Sequence, residues 1–473
     1  MQVMAHVIPF RPWLYNETVA GPLDRLVAPP YDVISPDLQA ELYQRSPYNV
    51  VRVDLNREPG EARYTEAARL LADWKGSGAL RRATAPQATV VEETFVGPDG
   101  RTRVRKGVLA LVRLADFAEG IVFPHEFTLS GPKEDRFRLM EATRTCLSPV
   151  FMLYSRPDDA VMVSWNRIVD QPPDGTLAAP NARQGSGRRE LIRLWHTSNP
   201  SFLASLAGAL SGQTLIIADG HHRYETALRY RDARRAAAAA AGQPADPEAP
   251  YEYALTYLVN MADPGLAIFG THRLIRDLPR EAVARLPHVL ARYFTVAELA
   301  DRLDEAAPAL QAFLEEHQAV EGVPTTAFGL YLGETQVSYG LVLRPEARRL
   351  AVQDAAEAAA GARGVETAEG ETHSQAYRAL DVTILQDIVL DRCLGISVDQ
   401  VTAGAHVSYA KEWDEALHLL GEGAYQAGFF LNPTQLEQVR EIATTGERMP
   451  QKSTYFYPKL PTGLLFHDLA DGI

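Results

Sequence analysis

A buried strand that runs directly into a long helix constrains this chain more than any other feature of its sequence. Residues 214–218 are an apolar run that predicts a strand, and residues from Tyr224 through the alanines after Arg235 predict a helix. The turn between them carries an acid, a glycine, two histidines and an arginine: Asp219, Gly220, His221, His222 and Arg223. A strand that passes into a helix, among other mixed elements, favours an α/β or α+β fold.

The same turn predicts an anion site. The start of a helix offers unpaired N–H groups and the positive end of the helix dipole, and phosphate is the anion most often bound there. Gly220 lets the backbone approach closely, Arg223 can bind phosphate oxygens with its planar fork, and Asp219 can accept a proton or hold a metal. The structural alternative is an aspartate that caps a helix beside surface histidines.

A second cluster of reactive side chains occupies residues 123–136. Lys133 and Arg136 fall on the predicted first turns of a helix over Lys133–Thr145, where cations oppose the helix dipole unless an anion is bound. His125 and Glu126 precede them, but Leu129 stands where a zinc-binding helix would need its second histidine. A helix start with solvated charges is the alternative interpretation.

Two further clusters complete the candidates. The paired prolines before Tyr31 and Asp32 predict a rigid turn that presents these two side chains. Near the C-terminus, Lys452, Ser453 and Thr454 offer a cation and two hydroxyls for phosphate or nucleotide binding. Both clusters also admit a purely structural interpretation.

Composition narrows the function classes. The net charge of −13 disfavours broad binding to nucleic acid or to an anionic membrane. The sequence has no apolar run long enough for a membrane span and no evident signal peptide, and its two cysteines fit a reducing compartment, so we expect a cytoplasmic protein. Walker-type phosphate loops, Rossmann dinucleotide loops and the hydrolase nucleophile elbow are absent from the sequence.

The pattern along the chain predicts two regions, 1–275 and 276–473, without a clear linker between them. The first region is expected to carry the site, and the second to be an α+β elaboration. Within the first, residues 87–96 and 102–114 predict a hairpin around a Gly-Pro-Asp-Gly turn, and residues Asn49 to Leu55 predict a strand.

Four motifs in order resemble a known family. The segments VAPPYDVIS, HEFTLSGPKEDR, ADGHHRYETAL and MPQKSTYFYPK resemble the bacterial and archaeal family called domain of unknown function 1015, over nearly the whole chain. The central loop also resembles that of the ParB/sulfiredoxin superfamily, which includes partition proteins that bind CTP, sulfiredoxin, and kinases that phosphorylate free L-serine. The resemblance implies a ParB/sulfiredoxin-like core.

The likeness to the serine kinases implies roles for the loop. In those kinases a similar loop binds the donor phosphates and the substrate hydroxyl. By that likeness Asp219 is the acidic catalytic residue, His222 and Arg223 hold phosphate, and His221 takes the variable position. The reactive cysteine of sulfiredoxin has no counterpart, which argues against sulfinic-acid repair.

These observations predict phosphoryl transfer from ATP, ADP or pyrophosphate to a small hydroxyl substrate such as L-serine. Mg²⁺, held in part by Asp219, would bridge the phosphates, and Asp219 or Glu126 would take the hydroxyl proton. The phosphate charge would be neutralised by the histidine and basic residues of the two central motifs: His222, Arg223, Lys133 and Arg136. The alternatives are a nucleotide-binding regulatory protein without turnover and a DNA-associated ParB-like module. The acceptor, the donor and the oligomeric state stay open.

Overall fold

The computed structural model describes residues 5–97, 99–127, 130–157, 160–179, 190–244, 246–318, 325–349, 373–470 and 472. Strands and helices alternate through these residues, which confirms the predicted mixed α/β class. The chain folds into two compact units. The first unit comprises Met1–Pro124, Thr128–Ala267 and Phe456–Ile473, and the second comprises His125–Phe127 and Ile268–Tyr455. The chain therefore divides at residue 267 rather than 275, and its last segment belongs to the first unit.

A mixed sheet of nine strands forms the centre of the first unit. The strands of this unit are β1 Val7–Ile8, β2 Trp13–Tyr15, β3 Leu80–Arg82, β4 Ala88–Val96, β5 Thr102–Arg113, β6 Val122–Phe123, β7 Thr145–Cys146, β8 Val150–Tyr154, β9 Gly175–Ala178, β10 Leu191–Thr197, β11 Leu215–Asp219 and β12 Tyr253–Asn260. The sheet order is β6-β11-β8-β12-β5-β4-β10-β9, with β1 beside β5. The β6–β11 and β8–β12 pairs are parallel and the others antiparallel. The predicted hairpin is confirmed as β4 and β5.

Helices of the first unit accompany this sheet, and three of them contribute residues to its core. They are α1 Glu17–Ala20, α2 Pro36–Arg45, α3 Val51–Asp54, α4 Ala62–Gly76, α5 Ser130–Thr143, α6 Ala160–Val169, α7 Pro200–Leu210 and α8 His221–Ala240. Alternate strand residues such as Val108, Ala110 and Ile217 form a core with Phe202 of α7 and Tyr224 of α8. The hydroxyl of Tyr224 donates to the Ala115 carbonyl at 2.8 Å and accepts from the Ala115 amide at 3.0 Å, which fixes the start of α8 against the sheet.

The predicted strand from Asn49 to Leu55 is wrong, because this segment contains the short helix α3. The Asn49 side chain accepts from the Val51 amide at 3.0 Å and donates to the carbonyls of Arg25 and Val27. These bonds favour a turn over an extended strand, as asparagine side chains often do. Asp54 consequently lies at the end of a buried helix.

The second unit has its own antiparallel sheet of six strands, built from Phe294–Ala300, Val337–Leu343, Ala327–Leu332, Ala427–Leu431, His272–Ile275 and Val407–Ala410, in that spatial order. Its helices are Arg280–Ala284, Leu286–Leu290, Leu303–Glu316, Pro345–Arg349, Gln375–Arg378, Asp381–Ile384, a π-helix at Leu385–Cys393, Val398–Thr402, Trp413–Gly421 and Leu436–Thr444. Short strands also lie at Ala267–Phe269 and Tyr455–Tyr457, where the chain passes from one unit to the other, and at His467–Asp468 in the first unit. Across the described residues of both units, no helix is long and apolar enough to cross a membrane.

Candidate anion-binding site in the first unit

The site forms where β11 ends and α8 begins. Asp219 is the last residue of β11, and Gly220 precedes the helix with φ 93° and ψ 29°, a left-handed conformation that favours glycine. A Cβ at this position would lie 2.8 Å from Nε of Arg223. The helix starts at His221 rather than at the predicted Tyr224, so both histidines and Arg223 lie on its first turn.

Lys459 joins two carboxylates at this turn. Its Nζ lies 2.9 Å from Oδ1 of Asp219 and 2.6 Å from Oδ2 of Asp32. The other oxygen of Asp219 accepts from the guanidinium of Arg223. Asp32 and Asp219, predicted from separate motifs, therefore converge on one ammonium group. The side chains of Lys459, Asp219 and Asp32 are 15%, 22% and 34% exposed, so the cluster stays partly accessible to solvent.

The charges of this cluster change the chemistry expected of Asp219. Burial alone would raise the pKa of the Asp219 carboxyl, but the charges of Lys459 and Arg223 outweigh it and hold the pKa well below its usual range. For the same reason the pKa of Lys459 is raised, although burial opposes this. A carboxylate with a lowered pKa is a weak proton acceptor. The geometry therefore favours Asp219 as a group that orients cations over the predicted role as a base.

Arg223 spans the site. Besides Asp219, its guanidinium donates to Oγ of Ser148 at 2.7 Å and to the carbonyl of Pro149. In this conformation Arg223 places a positive charge next to the helix start, but its two terminal nitrogens already donate to protein acceptors.

Arg136 lies in the same unit but has carboxylate partners of its own. Its NH1 is 2.7 Å from Oδ1 of Asp54, its Nε donates to Asp135 at 2.9 Å, and its guanidinium lies 4.5 Å from the centre of the Tyr31 ring. Burial raises the pKa of Asp54 despite the charges of Arg136 and Arg223. Tyr31, Asp54, Arg136 and Arg223 line one cavity, so residues from three of the predicted motifs meet there.

Lys133 is connected to α8 by an ion pair with Glu225. This contact links the start of α5 to the first turns of α8. The cation predicted to oppose the dipole of α5 is thus compensated by a carboxylate of the neighbouring helix. Phosphate need not be present for this arrangement to be favourable.

The remaining predicted residues lie in the second unit. The buried His125 has its Nε2 2.7 Å from Oγ1 of Thr454, and Thr454 donates to Glu126 from its hydroxyl at 2.9 Å and its amide at 3.0 Å. The buried Ser453 donates to the Pro450 carbonyl at 2.5 Å. Lys452 is exposed, with φ 60°. The two hydroxyls predicted to bind phosphate therefore donate to acceptors within the second unit.

Sequence reasoning missed Lys459 and Asp54. Lys459 closes the same motif from which Lys452 was predicted, and its position after Pro458 gave no reason to prefer it. In the structure, the buried guanidinium of Arg105 donates to the carbonyls of Tyr457 and Pro458 at 3.1 and 2.6 Å, which fixes the backbone just before Lys459. Asp54 was hidden by the incorrect strand prediction.

The described residues contain no group of three or more metal-ligating His, Cys, Asp or Glu side chains. Mg²⁺ does not require one, because it commonly uses one or two carboxylates together with water and phosphate oxygens. Asp32 and Asp219 provide such oxygens, and they converge on the position that the ammonium of Lys459 occupies. The carboxylates are of the type that binds a hard cation, but a metal held there would share their oxygens with Lys459 and Arg223.

The family model described as "Protein of unknown function (DUF1015)" matches residues 7–383. The chain belongs to this family. The match includes the motifs that contain Asp32, Lys133 and Asp219, whereas the motif that ends at Lys459 lies beyond it. The search of curated proteins finds no match.

Solved structures give distant similarities to this DUF1015 protein. A variant free serine kinase in complex with AMP has a TM-score of 0.32 at 11% identity, covering 75% of this chain and 92% of that chain. A conserved hypothetical protein from Pyrococcus furiosus has 0.31 at 12%, covering 75% and 95%. A truncated SbnI from Staphylococcus aureus has 0.30 at 10%, covering 75% and 87%. Scores this low assign no activity to the chain.

Proposed function

We propose that the first unit binds a nucleotide or pyrophosphate at the start of α8 and transfers a phosphoryl group to a small hydroxyl substrate. The observation that carries the proposal is the convergence of Asp32, Asp219, Arg223 and Lys459 at a helix start that follows a left-handed glycine. The first turn of α8 has no acidic residue, and Gly220 provides no side-chain cap. Its amide groups and dipole therefore favour an anion.

Phosphoryl transfer suits a site of this kind, because it depends mostly on positioning and on charge neutralisation. In the transfer step the acceptor oxygen forms a bond to the terminal phosphorus while the bond from that phosphorus to the bridging oxygen of the donor breaks. The hydroxyl proton leaves to solvent, and the leaving nucleotide or phosphate takes the bond electrons. Arg223, Lys459 and the amides of α8 neutralise the charge of the phosphate groups.

Mg²⁺, when bound, would supply further neutralisation between donor phosphates, with Asp32 and Asp219 as its protein ligands. The carboxylates keep their charge at neutral pH because the pKa of each is lowered by Lys459 against the effect of burial. They orient the ammonium and guanidinium groups as well. L-Serine is the first acceptor to test, since the loop resembles that of the free serine kinases.

The proposal is tested by incubating the protein with Mg²⁺, each of ATP, ADP and pyrophosphate, and a panel of hydroxyl metabolites headed by L-serine. Phosphorylated product is detected by mass. We expect Asp219→Asn to lower product formation by about tenfold to a hundredfold, because it removes the charge that orients both cations. Asp277→Asn is the matched control, since the Asp277 side chain is 74% exposed and pairs only loosely with Arg276 at 3.6 Å.

Product from the wild type and the control but little from Asp219→Asn would support transfer at this site. Product formation unaffected by Asp219→Asn would remove the loop from the chemistry. Nucleotide binding without product for any donor and acceptor would instead favour the regulatory alternative. The ion pairs of Asp219 with Lys459 and Arg223 keep this second candidate in view, because a carboxylate held by two cations is a poor proton acceptor.

A further inference from the structure

A cavity of about 60 Å³ lies beside α8 in the first unit. Its apolar wall includes Leu139, Met140, Leu147, Val150, Ala227 and Leu255. One water needs about 10–15 Å³ of such space, so the cavity has room for about four to six waters or for a small organic molecule of similar volume. That volume suits a small metabolite and not a nucleotide.

Two residues that line the cavity each have a buried side-chain oxygen without a partner among the described residues. These oxygens are Oδ2 of Asp54 and Oγ1 of Thr226, and their residues are only 6% and 2% exposed. Most buried side-chain polar atoms have at least one hydrogen bond, and leaving one unsatisfied is costly. Two such residues around one cavity indicate a ligand with polar hydrogens.

The charges around the cavity are balanced without that ligand. Arg136 pairs with Asp54 and Asp135, Asp135 also lies 3.8 Å from Arg63, and Arg223 pairs with Asp219, so three cations face three carboxylates. A ligand with net charge would therefore enter a largely desolvated place with no counter-charge left for it. Because the charged side chains of the wall neutralise one another, the cavity favours a compound with no net charge.

The cavity adjoins the proposed phosphate site through one side chain. Arg223 lines the cavity and its guanidinium also binds Asp219 at the strand end. The same residue contacts both compartments.

We propose that this cavity binds a small hydroxyl compound without net charge, a polyol or a zwitterion, through Asp54 and Thr226. The role of this compound as phosphoryl acceptor rests on the proposed function, whereas its binding does not. Asp54 accepts a hydrogen bond from the ligand, and Thr226 donates or accepts another. The apolar wall covers its carbon atoms.

The test measures binding in the absence of any phosphoryl donor, so its failure is distinguishable from the failure of catalysis. Glycerol, L-serine, ethanolamine and sodium glycolate are titrated at millimolar concentration while the melting temperature is followed. A ligand that binds the native state raises this temperature. We expect glycerol or L-serine to raise it more than the cationic and anionic probes do. No rise with any probe, or a rise with the charged probes alone, would overturn the proposal.

Thr226→Val keeps the shape of the side chain and removes its hydroxyl. We expect it to weaken binding of the uncharged probe about tenfold, without loss of stability. Thr383→Val is the matched control, because the Thr383 hydroxyl is also buried without a described partner but does not line the cavity. Ala227→Val narrows the cavity without changing a polar group and should also weaken binding. Equal affinity in both cavity variants and the control would contradict the proposal, leaving a cavity for water alone.

Discussion

Two polar clusters of this protein, both formed by side chains that bond to one another, differ in their surroundings. In the first unit, Lys459 and Arg223 surround Asp219 at a helix start, beside a cavity lined by two residues with unsatisfied oxygens. In the second, His125, Glu126 and Thr454 bond to one another. Both clusters belong to motifs that carry the acids, hydroxyls and cations a phosphate site would use. The difference teaches that residue type marks a candidate, and that the partners of each side chain decide whether it can serve a ligand.

The largest expected difference is in stability, between two lysines of the last motif: Lys459 in the first unit and Lys452 in the second. Lys459→Met removes the cation between two converging carboxylates, and breaking a largely buried ion pair in this way costs about 3–5 kcal/mol. Lys452→Met, the matched change at an exposed lysine of the same motif, should leave stability within about 0.5 kcal/mol of the wild type. Urea unfolding measures both. Equal losses of unfolding free energy in the two variants would mean that Lys459 contributes no more to stability than Lys452 does.

The second difference is the sign of the pH response. The pKa of Asp219 is lowered, so it stabilises the fold above its ordinary value of 3.8, and this contribution disappears as the pH falls through the folded value. In the second unit, burial raises the pKa of Asp381 to about 6, despite its bond to Thr326. Ionised Asp381 therefore destabilises the fold above about pH 6, and this effect is absent below its ordinary pKa of 3.8. The free energy of unfolding changes by about 3 kcal/mol between these two limits.

We accordingly expect Asp381→Asn to stabilise the protein at neutral pH and to change little near pH 4. Asp219→Asn should destabilise it at neutral pH, with the loss shrinking under strongly acidic conditions. Denaturant unfolding of both variants across this pH range checks the signs. A parallel response of the two variants would contradict the assigned electrostatics.

A hydroxyl of the second cluster should matter for stability alone. Thr454→Val removes the donor to Glu126 and the partner of His125, and a buried network broken in this way costs about 1–3 kcal/mol. Pyrophosphate affinity, measured calorimetrically on the folded variant, should not change. Loss of affinity with stability preserved would move Thr454 into the ligand site.

The smallest expected effect separates backbone strain from displacement of Arg223. Gly220 and Gly446 both have positive φ, so alanine at either costs about 1 kcal/mol. A Cβ at Gly220 also meets Arg223, whereas one at Gly446 meets nothing within 4 Å. Gly220→Ala should therefore weaken pyrophosphate binding severalfold, and Gly446→Ala should not. Similar affinities in the two variants would show that Arg223 need not hold its position.

The sequence predicted the local features that make this site possible. The strand at residues 214–218, the following helix and the hairpin of β4 and β5 all have strong periodicity or turn signals, and the structure confirms them within a few residues. Long-range partners carry no such signal. Asp32 and Lys459 are 427 residues apart in sequence, and neither their pairing nor the burial of Asp54 could be read from local pattern. The strand prediction at Asn49 failed because a side-chain bond to a distant carbonyl outweighed the apolar pattern.

Hydrogen exchange of the backbone amides, with and without saturating pyrophosphate and Mg²⁺, tests the central claim most directly. An anion held at the start of α8 accepts hydrogen bonds from the amides of its first turn, and these amides should then exchange more slowly. We predict the strongest protection at residues 221–223, because the amide of Tyr224 already donates to the carbonyl of Gly220 at 3.0 Å. Protection confined to residues 452–454, or absent from both segments at a concentration that saturates binding, would contradict the account.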